Sequence, residues 1–151
     1  MDVHFSSKSD HWETPKNLYN YLDSIYGFVL DAAASKENAK CPKFYTEEDD
    51  ALTKEWAKDA FGGAIFLNPP YGRKIGKFIK KAYEEGQKGS TVVCLLPART
   101  DTKVWHSYCQ KGEVYFIKGR IKFTNRELPS WREDGNFKIT PAPFPSALVR
   151  F

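Results

Sequence analysis

The chain has 151 residues, a formal net charge of +4, three cysteines and three histidines, and this length suits a single domain with its own hydrophobic core. No run of about 18 apolar residues is present, which excludes a membrane-spanning helix, and the polar N-terminus lacks the apolar segment of a signal peptide. The odd number of cysteines, none in a CxxC pair, predicts a reducing compartment, and the spacing of cysteines and histidines predicts no metal site.

The first part of the sequence predicts a helix and a buried strand. The helix begins at Thr14-Pro15, where a hydroxyl N-cap precedes a proline at the first helical position, and it ends at Gly27. FVLDAAAS, residues 28–35, predicts a short buried strand that ends at Asp31 and is followed by small side chains.

The remaining sequence alternates between apolar strands and helices. Residues 73–86 carry apolar side chains at helical spacing on one face and lysines on the others, whereas TVVCLLP, residues 91–97, is continuously apolar, as in a strand covered on both faces. The predicted elements after residue 35 are a brief strand near Phe44, a helical turn at 52–56, a strand at 64–67, the helix at 73–86, the strand at 91–97, a short helix at 101–110, a strand at 113–123, a long loop at 124–145 and a closing strand at 146–151.

This alternation predicts an α/β fold with an open, mostly parallel sheet and helices on both faces. Residues 1–151 form one domain, in which the polar segment 1–11 is expected to be loosely held. Ligands of such sheets bind outside the carboxyl ends of the strands. Asp31, Asn68 and the 97–99 corner all follow predicted strands, and we therefore expect them to line one edge of the sheet.

The tetrapeptide NPPY, directly after the strand AIFL, carries the strongest chemical signal. Asn68 offers an uncharged amide oxygen as an acceptor, and Pro69 and Pro70 fix the backbone so that neighbouring acceptors are held rigidly. Tyr71 adds a flat aromatic face. Two rigid acceptors beside a ring suit a planar exocyclic amine, because accepting both of its N–H bonds localises the nitrogen lone pair. A tight turn at a strand end is the plainer interpretation of the same residues.

Several motifs, in order along the chain, resemble the phage-type DNA N-6-adenine-methyltransferase (Dam-like) family. They are LDAAASKENAKCPKFYTEEDDAL, FLNPPYG, VVCLLPARTDTKVWH, IKGRIKF and APFPSALVRF, and the resemblance extends from about Trp12 to Phe151. It implies a Rossmann-like methyltransferase sheet with an antiparallel C-terminal strand, S-adenosylmethionine as cofactor, and methyl transfer to N6 of adenine in double-stranded DNA. It also implies a flipped-out target base and a cytoplasmic location in a bacterial or phage-infected cell.

The resemblance also implies which residues bind the cofactor. WETP, with Trp12, Thr14 and Pro15, is similar to the segment that holds the methionine part of the cofactor, although Thr14 equally suits a helix N-cap. Asp31 and Ala33 match the first cofactor motif, in which alanines here replace the usual glycines.

A second acid of the cofactor site is implied by DDAL. Asp50, which Ala51 and Leu52 follow, matches the acid that accepts from the cofactor's adenine amine. The plainer interpretation is that Asp49 or Asp50 caps a helical turn, and the two interpretations are compatible. The ribose-binding group stays open among Glu37, Asn38, Glu47 and Glu48.

The family's catalytic motif corresponds to NPPY, which consists of Asn68, Pro69, Pro70 and Tyr71. The resemblance implies that the Asn68 side chain and the Pro69 carbonyl accept from the target amine. Asn68 thereby also adjoins the cofactor, and Tyr71 stacks on the target base.

Basic residues after the strands are the candidate DNA contacts. The residues that suit phosphates are Arg73, Arg99, Arg120 and Lys122. The alternative for Arg99 is that it organises the loop after its strand, and the alternative for Arg120 and Lys122 is a solvated surface. Phe123 either closes the base pocket from the other side or packs in the core. The long loop before the closing strand is a candidate for base recognition.

Other functions stay open on the sequence. Methylation of cytosine N4 uses similar chemistry, but serine usually replaces Asn68 there. Amino-methylation of RNA or of a protein glutamine, and a non-catalytic nucleic-acid-binding module on the same fold, are further alternatives. Cytosine C5 methylation is rejected because it needs a nucleophilic cysteine near NPPY. The recognised DNA sequence, the oligomeric state and the presence of a partner nuclease in a restriction–modification pair are not determined by the sequence.

Overall fold

The computed structural model describes residues 12–124 and 139–151 and has an α/β architecture. The helices are α1 (Lys16–Tyr26), α2 (Trp56–Asp59), α3 (Ile75–Gly86) and α4 (Lys103–Ser107). The strands are β1 (Phe28–Asp31), β2 (Ala64–Leu67), β3 (Val92–Pro97), β4 (Glu113–Phe116), β5 (Lys122–Thr124), β6 (Ile139–Pro141) and β7 (Ser146–Arg150). Short 3₁₀ turns span Ala51–Thr53 and Cys109–Lys111.

The main sheet has five strands in the order β1-β2-β3-β7-β4. The strands β1, β2 and β3 pair in parallel, whereas β7 lies between β3 and β4 and is antiparallel to both. Four strands therefore run in one direction and β7 alone is reversed. The expected α/β fold, with a mostly parallel sheet and an antiparallel C-terminal strand, is confirmed.

Helices cover both faces of the sheet, as the alternating sequence predicts. Ile65 and Leu67 of β2 face the side on which Phe78 of α3 packs. Phe66 points to the opposite side and packs with Tyr19 of α1. All six residues of β3 are buried, which agrees with the continuous apolar run in its sequence and with its central place in the sheet.

The strand expected over residues 113–123 is wrong in its extent. It is divided into β4, which ends at Phe116, and β5, which begins at Lys122 and belongs to a separate two-stranded sheet with β6. Gly119, with φ of 78°, lies between the two strands. Glycine adopts this left-handed conformation without strain, so the chain leaves the main sheet at this point.

The unbroken loop expected over residues 124–145 is also wrong, because β6 lies within it and pairs with β5. Pro141 is the last residue of β6. Much of the candidate recognition segment, residues 125–138, and the N-terminal segment 1–11 lie outside the described residues.

The start of α1 differs from the prediction in a way that concerns the site. The helix begins at Lys16 with Pro15 at the N-cap, where no side-chain hydrogen bond is made, so the expected capping by Thr14 is wrong. The Thr14 hydroxyl instead contacts Asn68. The C-terminal end agrees with prediction, since Gly27 has φ of 63° and its N–H donates to the Asp23 carbonyl.

Candidate active site

A cavity of about 1020 Å³ opens at the carboxyl ends of β1 and β2, at the upper end of the roughly 300–1,000 Å³ typical of small-molecule sites. Asp31 and Asn68 both line it, as the position of their strand ends predicts. Every residue expected to bind the cofactor, apart from Pro15, lines this cavity, and so do all four residues of NPPY. The sheet thus brings together residues from separate parts of the sequence.

The buried Asp31 makes several hydrogen bonds with the segment that follows β1. Its two carboxylate oxygens accept from the backbone N–H groups of Ala33, at 3.4 Å, and Lys40, at 3.0 Å. Its own backbone N–H donates to the Lys43 carbonyl, and its carbonyl accepts from the Tyr45 N–H. Burial raises the pKa of the Asp31 carboxyl to about 6, although the two N–H donors favour its charged form. Asp31 therefore both shapes the cavity wall and places an acid against it.

Asn68 follows β2 directly, and of the two polar atoms of its side-chain amide only Nδ2 is hydrogen-bonded within the described residues. Its Nδ2 donates to the backbone carbonyl of Trp12 and to the Thr14 hydroxyl oxygen, the latter at 3.0 Å. Its Oδ1 is buried and has no hydrogen-bond partner among the residues that the structure describes. A buried acceptor without a partner is rare in proteins, because it loses its hydration without compensation. Such an atom is a reason to expect a ligand donor.

Tyr71 is fixed in the cavity wall by its hydroxyl and by two other aromatic rings. The phenol O–H donates to the Leu95 carbonyl at 2.8 Å, and burial raises the pKa of this phenol well above its usual range. The ring packs edge-on against Phe144, at 5.5 Å, and Phe123, at 6.3 Å. Trp12 contacts the same two phenylalanines. These four rings form an aromatic cluster that joins Trp12, which precedes α1, to the NPPY loop and the second sheet.

Asp50 lies at the cavity in an unusual backbone conformation. It is exposed, lines the cavity, and has φ of 54°; a non-glycine residue with positive φ is often found at a ligand site. Asp50 occupies the N-cap position of the 3₁₀ turn that follows it, but its side chain makes no hydrogen bond to that turn, so the expected capping by the Asp50 side chain is wrong. The Asp49 carboxylate accepts from the Thr46 N–H instead. The four candidates for the ribose-binding group all line the same cavity, so the choice among them stays open: Glu37, Asn38, Glu47 and Glu48.

The predicted DNA contacts are distributed over more than one place. Arg73 is exposed and lines the cavity. Arg99 does not line it, contrary to the expectation for the 97–99 corner, and its guanidinium lies 5.9 Å from the Phe144 ring. Arg120 and Lys122 are exposed on one side of the segment that leads into β5. Phe123 is fully buried in the aromatic cluster and does not line the cavity, which is the core-packing alternative.

Two contributors to this site, the Trp12 carbonyl and Phe144, were not predicted from the sequence. The Trp12 carbonyl is a backbone group, and its contact with Asn68 joins residues 56 positions apart, which no local pattern reveals. Phe144 supports the Tyr71 ring; the only local signal was its position between two prolines before the closing strand.

No group of three or more metal-binding side chains lies together in residues 12–124 and 139–151. Within the same ranges, none of the helices has both the length and the apolar character needed to cross a bilayer.

Comparison with known proteins identifies the family. The sequence profile of the family described as DNA N-6-adenine-methyltransferase (Dam) matches residues 4–142. The chain is 43% identical to the DNA N-6-adenine-methyltransferase of Escherichia phage T1 over 147 aligned positions, which cover 85% of this chain and 59% of that protein. It is 30% identical to the DNA N-6-adenine-methyltransferase of Haemophilus phage HP1 (strain HP1c1) over 135 positions, which cover 86% of this chain and 75% of that protein. The chain thus spans less than two thirds of the phage T1 relative. With a profile match over most of its length and two relatives of this identity, the chain belongs to the DNA N-6-adenine-methyltransferase (Dam) family.

Proposed function

We propose that this protein transfers a methyl group from S-adenosylmethionine to N6 of adenine in double-stranded DNA, with the target base flipped out of the helix. The single observation that carries the proposal is the Asn68 Oδ1, a buried acceptor without a described partner on a residue that lines a large cavity. An incoming N–H donor satisfies this atom. The family relatives, which are named DNA N-6-adenine-methyltransferase, support adenine as the source of that donor.

Asn68 acts on the amine by accepting one of its N–H bonds. The lone pair of an exocyclic amine is delocalised into the purine ring, which makes the nitrogen a weak nucleophile. An acceptor fixed in advance favours the charge distribution that develops as the nitrogen reacts, and it does so without reorganisation. A buried acceptor is more effective than an exposed one because little water screens it.

Tyr71 contributes a flat surface for the flipped base rather than an acid or a base. Its hydroxyl already donates to Leu95, and its pKa is raised by burial, so the phenol stays neutral at ordinary pH. The edge-on contacts with Phe123 and Phe144 hold the ring in place. A base that stacks on this ring is oriented before reaction, which supplies part of the rate enhancement by proximity.

S-adenosylmethionine supplies an electrophilic methyl group on a positively charged sulfur, and the cavity fits such a molecule in size and in charge. The wall includes the buried Asp31 and the exposed Asp50. Asp31 favours a positively charged ligand when ionised, and Asp50 offers a free carboxylate to an adenine amine. We place Trp12 and Ala33 in the same cofactor region, with Thr14 at its border against Asn68.

Asp50 tests the cofactor assignment. Asp50→Gly removes the carboxylate and, unlike Asp50→Ala, relieves the positive φ rather than straining it. Loss of a hydrogen bond to a charged acceptor is expected to raise the cofactor dissociation constant roughly tenfold or more, measured by isothermal titration calorimetry. Asp101→Gly, at an exposed aspartate outside the cavity, is the control. An unchanged dissociation constant in Asp50→Gly removes Asp50 from the site.

Arg73 tests the DNA-binding surface. Arg73 and Lys74 are exposed at the cavity and make no ion pair within the described residues, so both are available to phosphates. In Arg73→Gln the slope of log affinity against log salt concentration should decrease in magnitude by about 0.9, because one phosphate contact is lost. The exposed Lys58, which pairs with Glu55, gives the control variant Lys58→Gln. Equal slopes in the two variants would show that Arg73 does not contact the backbone.

The function itself is tested by identifying the product. The protein is incubated with methyl-labelled S-adenosylmethionine and DNA, the DNA is digested to nucleosides, and the labelled nucleoside is identified by chromatography. Label in N6-methyl-2′-deoxyadenosine from the DNA supports the proposal. Label in N4-methylcytosine, or transfer only to parallel RNA or protein samples, assigns one of the alternatives, and cofactor binding without transfer to any of them indicates a non-catalytic module.

A further inference from the structure

The Asn68 amide is restrained by two acceptors that lie on the same side of it. Its Nδ2 carries two hydrogens, and both are used, one by the Trp12 carbonyl and one by the Thr14 hydroxyl oxygen. A carbonyl oxygen can only accept. A rotated amide would therefore bring Oδ1 against the Trp12 carbonyl, oxygen facing oxygen. The Trp12 carbonyl thus selects the orientation of the amide, and the Thr14 hydroxyl, which can donate as well as accept, adds a second restraint on its position.

We propose that Thr14 is a positioning residue that holds the Asn68 amide so that Nδ2 is occupied by the protein and Oδ1 is kept for the substrate amine. This inference rests on the proposed methyl transfer. It assigns to the Thr14 hydroxyl a task that differs from helix capping and from binding of the cofactor. The hydroxyl acts through Asn68 and does not contact the reacting atoms.

The surroundings of Thr14 support this assignment. The residue is only 5% exposed, and it precedes a helix whose N-cap position is taken by Pro15 without any side-chain bond. The only hydrogen bond that the structure gives its hydroxyl within the described residues is the one from Asn68. A buried hydroxyl with this single contact, 54 positions along the chain from its partner, is placed for that contact.

The second acceptor is held independently of Thr14. The Trp12 ring packs edge-on against Phe123 and Phe144, with centroid distances of 5.7 Å and 5.8 Å, and this packing fixes the Trp12 backbone from which the carbonyl projects. Removing the Thr14 hydroxyl therefore leaves one of the two restraints in place. We expect Asn68 to sample orientations that are less suited to the amine, while its contact with Trp12 persists.

The test compares Thr14→Val, which keeps the shape and removes the acceptor, with Thr14→Ser, which keeps the acceptor. In Thr14→Val, kcat for adenine methylation should fall about tenfold through loss of one orienting hydrogen bond, while the cofactor dissociation constant changes less than about twofold. Thr14→Ser should recover most of the rate. Thermal denaturation of all three proteins checks that the variants are folded.

A direct readout of the amide complements the kinetics. The two side-chain NH₂ protons of Asn68 are assigned in ¹⁵N-labelled protein by their absence from Asn68→Ala. In Thr14→Val one of them should lose its hydrogen-bonded chemical shift and exchange faster with solvent, and Thr14→Ser should restore it.

Three results would overturn the inference: an unchanged kcat in Thr14→Val, a raised cofactor dissociation constant with unchanged kcat, or Asn68 amide signals identical to those of the wild type. The second of these would make Thr14 a cofactor-binding residue instead. Failure of the proposed function is distinguishable, because the wild-type protein would then form no N6-methyladenine in DNA, whereas the NMR comparison does not depend on turnover.

Discussion

Replacing Asn68 by alanine is expected to lower the rate of adenine methylation by about two to three orders of magnitude. Removal of one group that stabilises charge in the transition state usually has an effect of this size. The substitution removes the unpartnered Oδ1 and with it the proposed acceptor for the amine. It also releases Thr14, but leaves the buried carboxylate of Asp31 and the adjoining cavity wall intact. Cofactor affinity should therefore stay within a few-fold of wild type.

The rate is measured by single-turnover methyl transfer to DNA, and cofactor binding by calorimetry. Asn17→Ala, at an exposed position on α1, is the matched control and should behave as wild type. Undiminished transfer by Asn68→Ala would contradict the catalytic assignment, and loss of cofactor binding to the same degree as loss of rate would make Asn68 a binding residue only.

Replacing Glu85 by alanine is expected to lower the free energy of unfolding by about 2–4 kcal/mol. The buried Ala57 N–H and the partly buried Lys81 ammonium group both lose their partner in this variant. Glu85 is fully buried on α3. It accepts from the Ala57 N–H at 2.9 Å, and it pairs with Lys88 at 2.7 Å and Lys81 at 3.4 Å. The Ala57 N–H belongs to the first turn of α2, where no partner exists within the helix, so Glu85 joins α2 to α3.

Urea denaturation measures this effect, and Glu84→Ala is the matched control because Glu84 is the exposed neighbour on the same helix. A loss in Glu85→Ala no greater than that in Glu84→Ala would show that the buried carboxylate does not stabilise the fold. Activity is not the readout here, since Glu85 does not line the cavity.

Glu85 also predicts a dependence of stability on pH. Burial by itself raises the pKa of this carboxyl, but hydrogen bonds from Lys88 and from the Ala57 N–H outweigh burial, so that the pKa is lowered overall. The stabilisation is therefore present above the unfolded-state pKa of about 4.3 and is lost as the pH falls through the lowered folded-state value. Glu85→Gln keeps an acceptor for the Ala57 N–H but cannot be protonated in this pH range. The free energy of unfolding of this variant should therefore fall less between neutral and acidic pH than that of the wild type.

Much of the fold was predictable because its signals are local. The apolar stripe of α3 and the run of six buried residues in β3 follow directly from the periodicity of the sequence. The division of residues 113–123 was not predictable in this way, because a weakly alternating segment with one glycine fits one strand as well as two. Only the pairing partners, β7 for β4 and β6 for β5, distinguish these possibilities.

The site shows the same contrast between local and distant signals. NPPY at a strand end predicted the position of Asn68 at the cavity, because strand ends in a parallel sheet share one edge. The hydrogen bonding and orientation of its side-chain amide were not predictable, because they depend on a backbone carbonyl and a hydroxyl more than 50 positions away. Thr14 before Pro15 has the sequence of a helix cap, yet tertiary contact with Asn68 takes its hydroxyl instead.

The place of β7 has a consequence for biosynthesis. β7 follows all other described strands along the chain but lies between β3 and β4, so a nascent chain cannot complete its sheet until residues 146–150 have left the ribosome. Until then the backbone edge of the apolar strand β3 lacks its partner, and such an edge readily pairs with other chains. Low growth temperature should therefore improve the recovery of folded protein, because non-local strand pairing is slow and competes with aggregation of chains in which this edge is exposed.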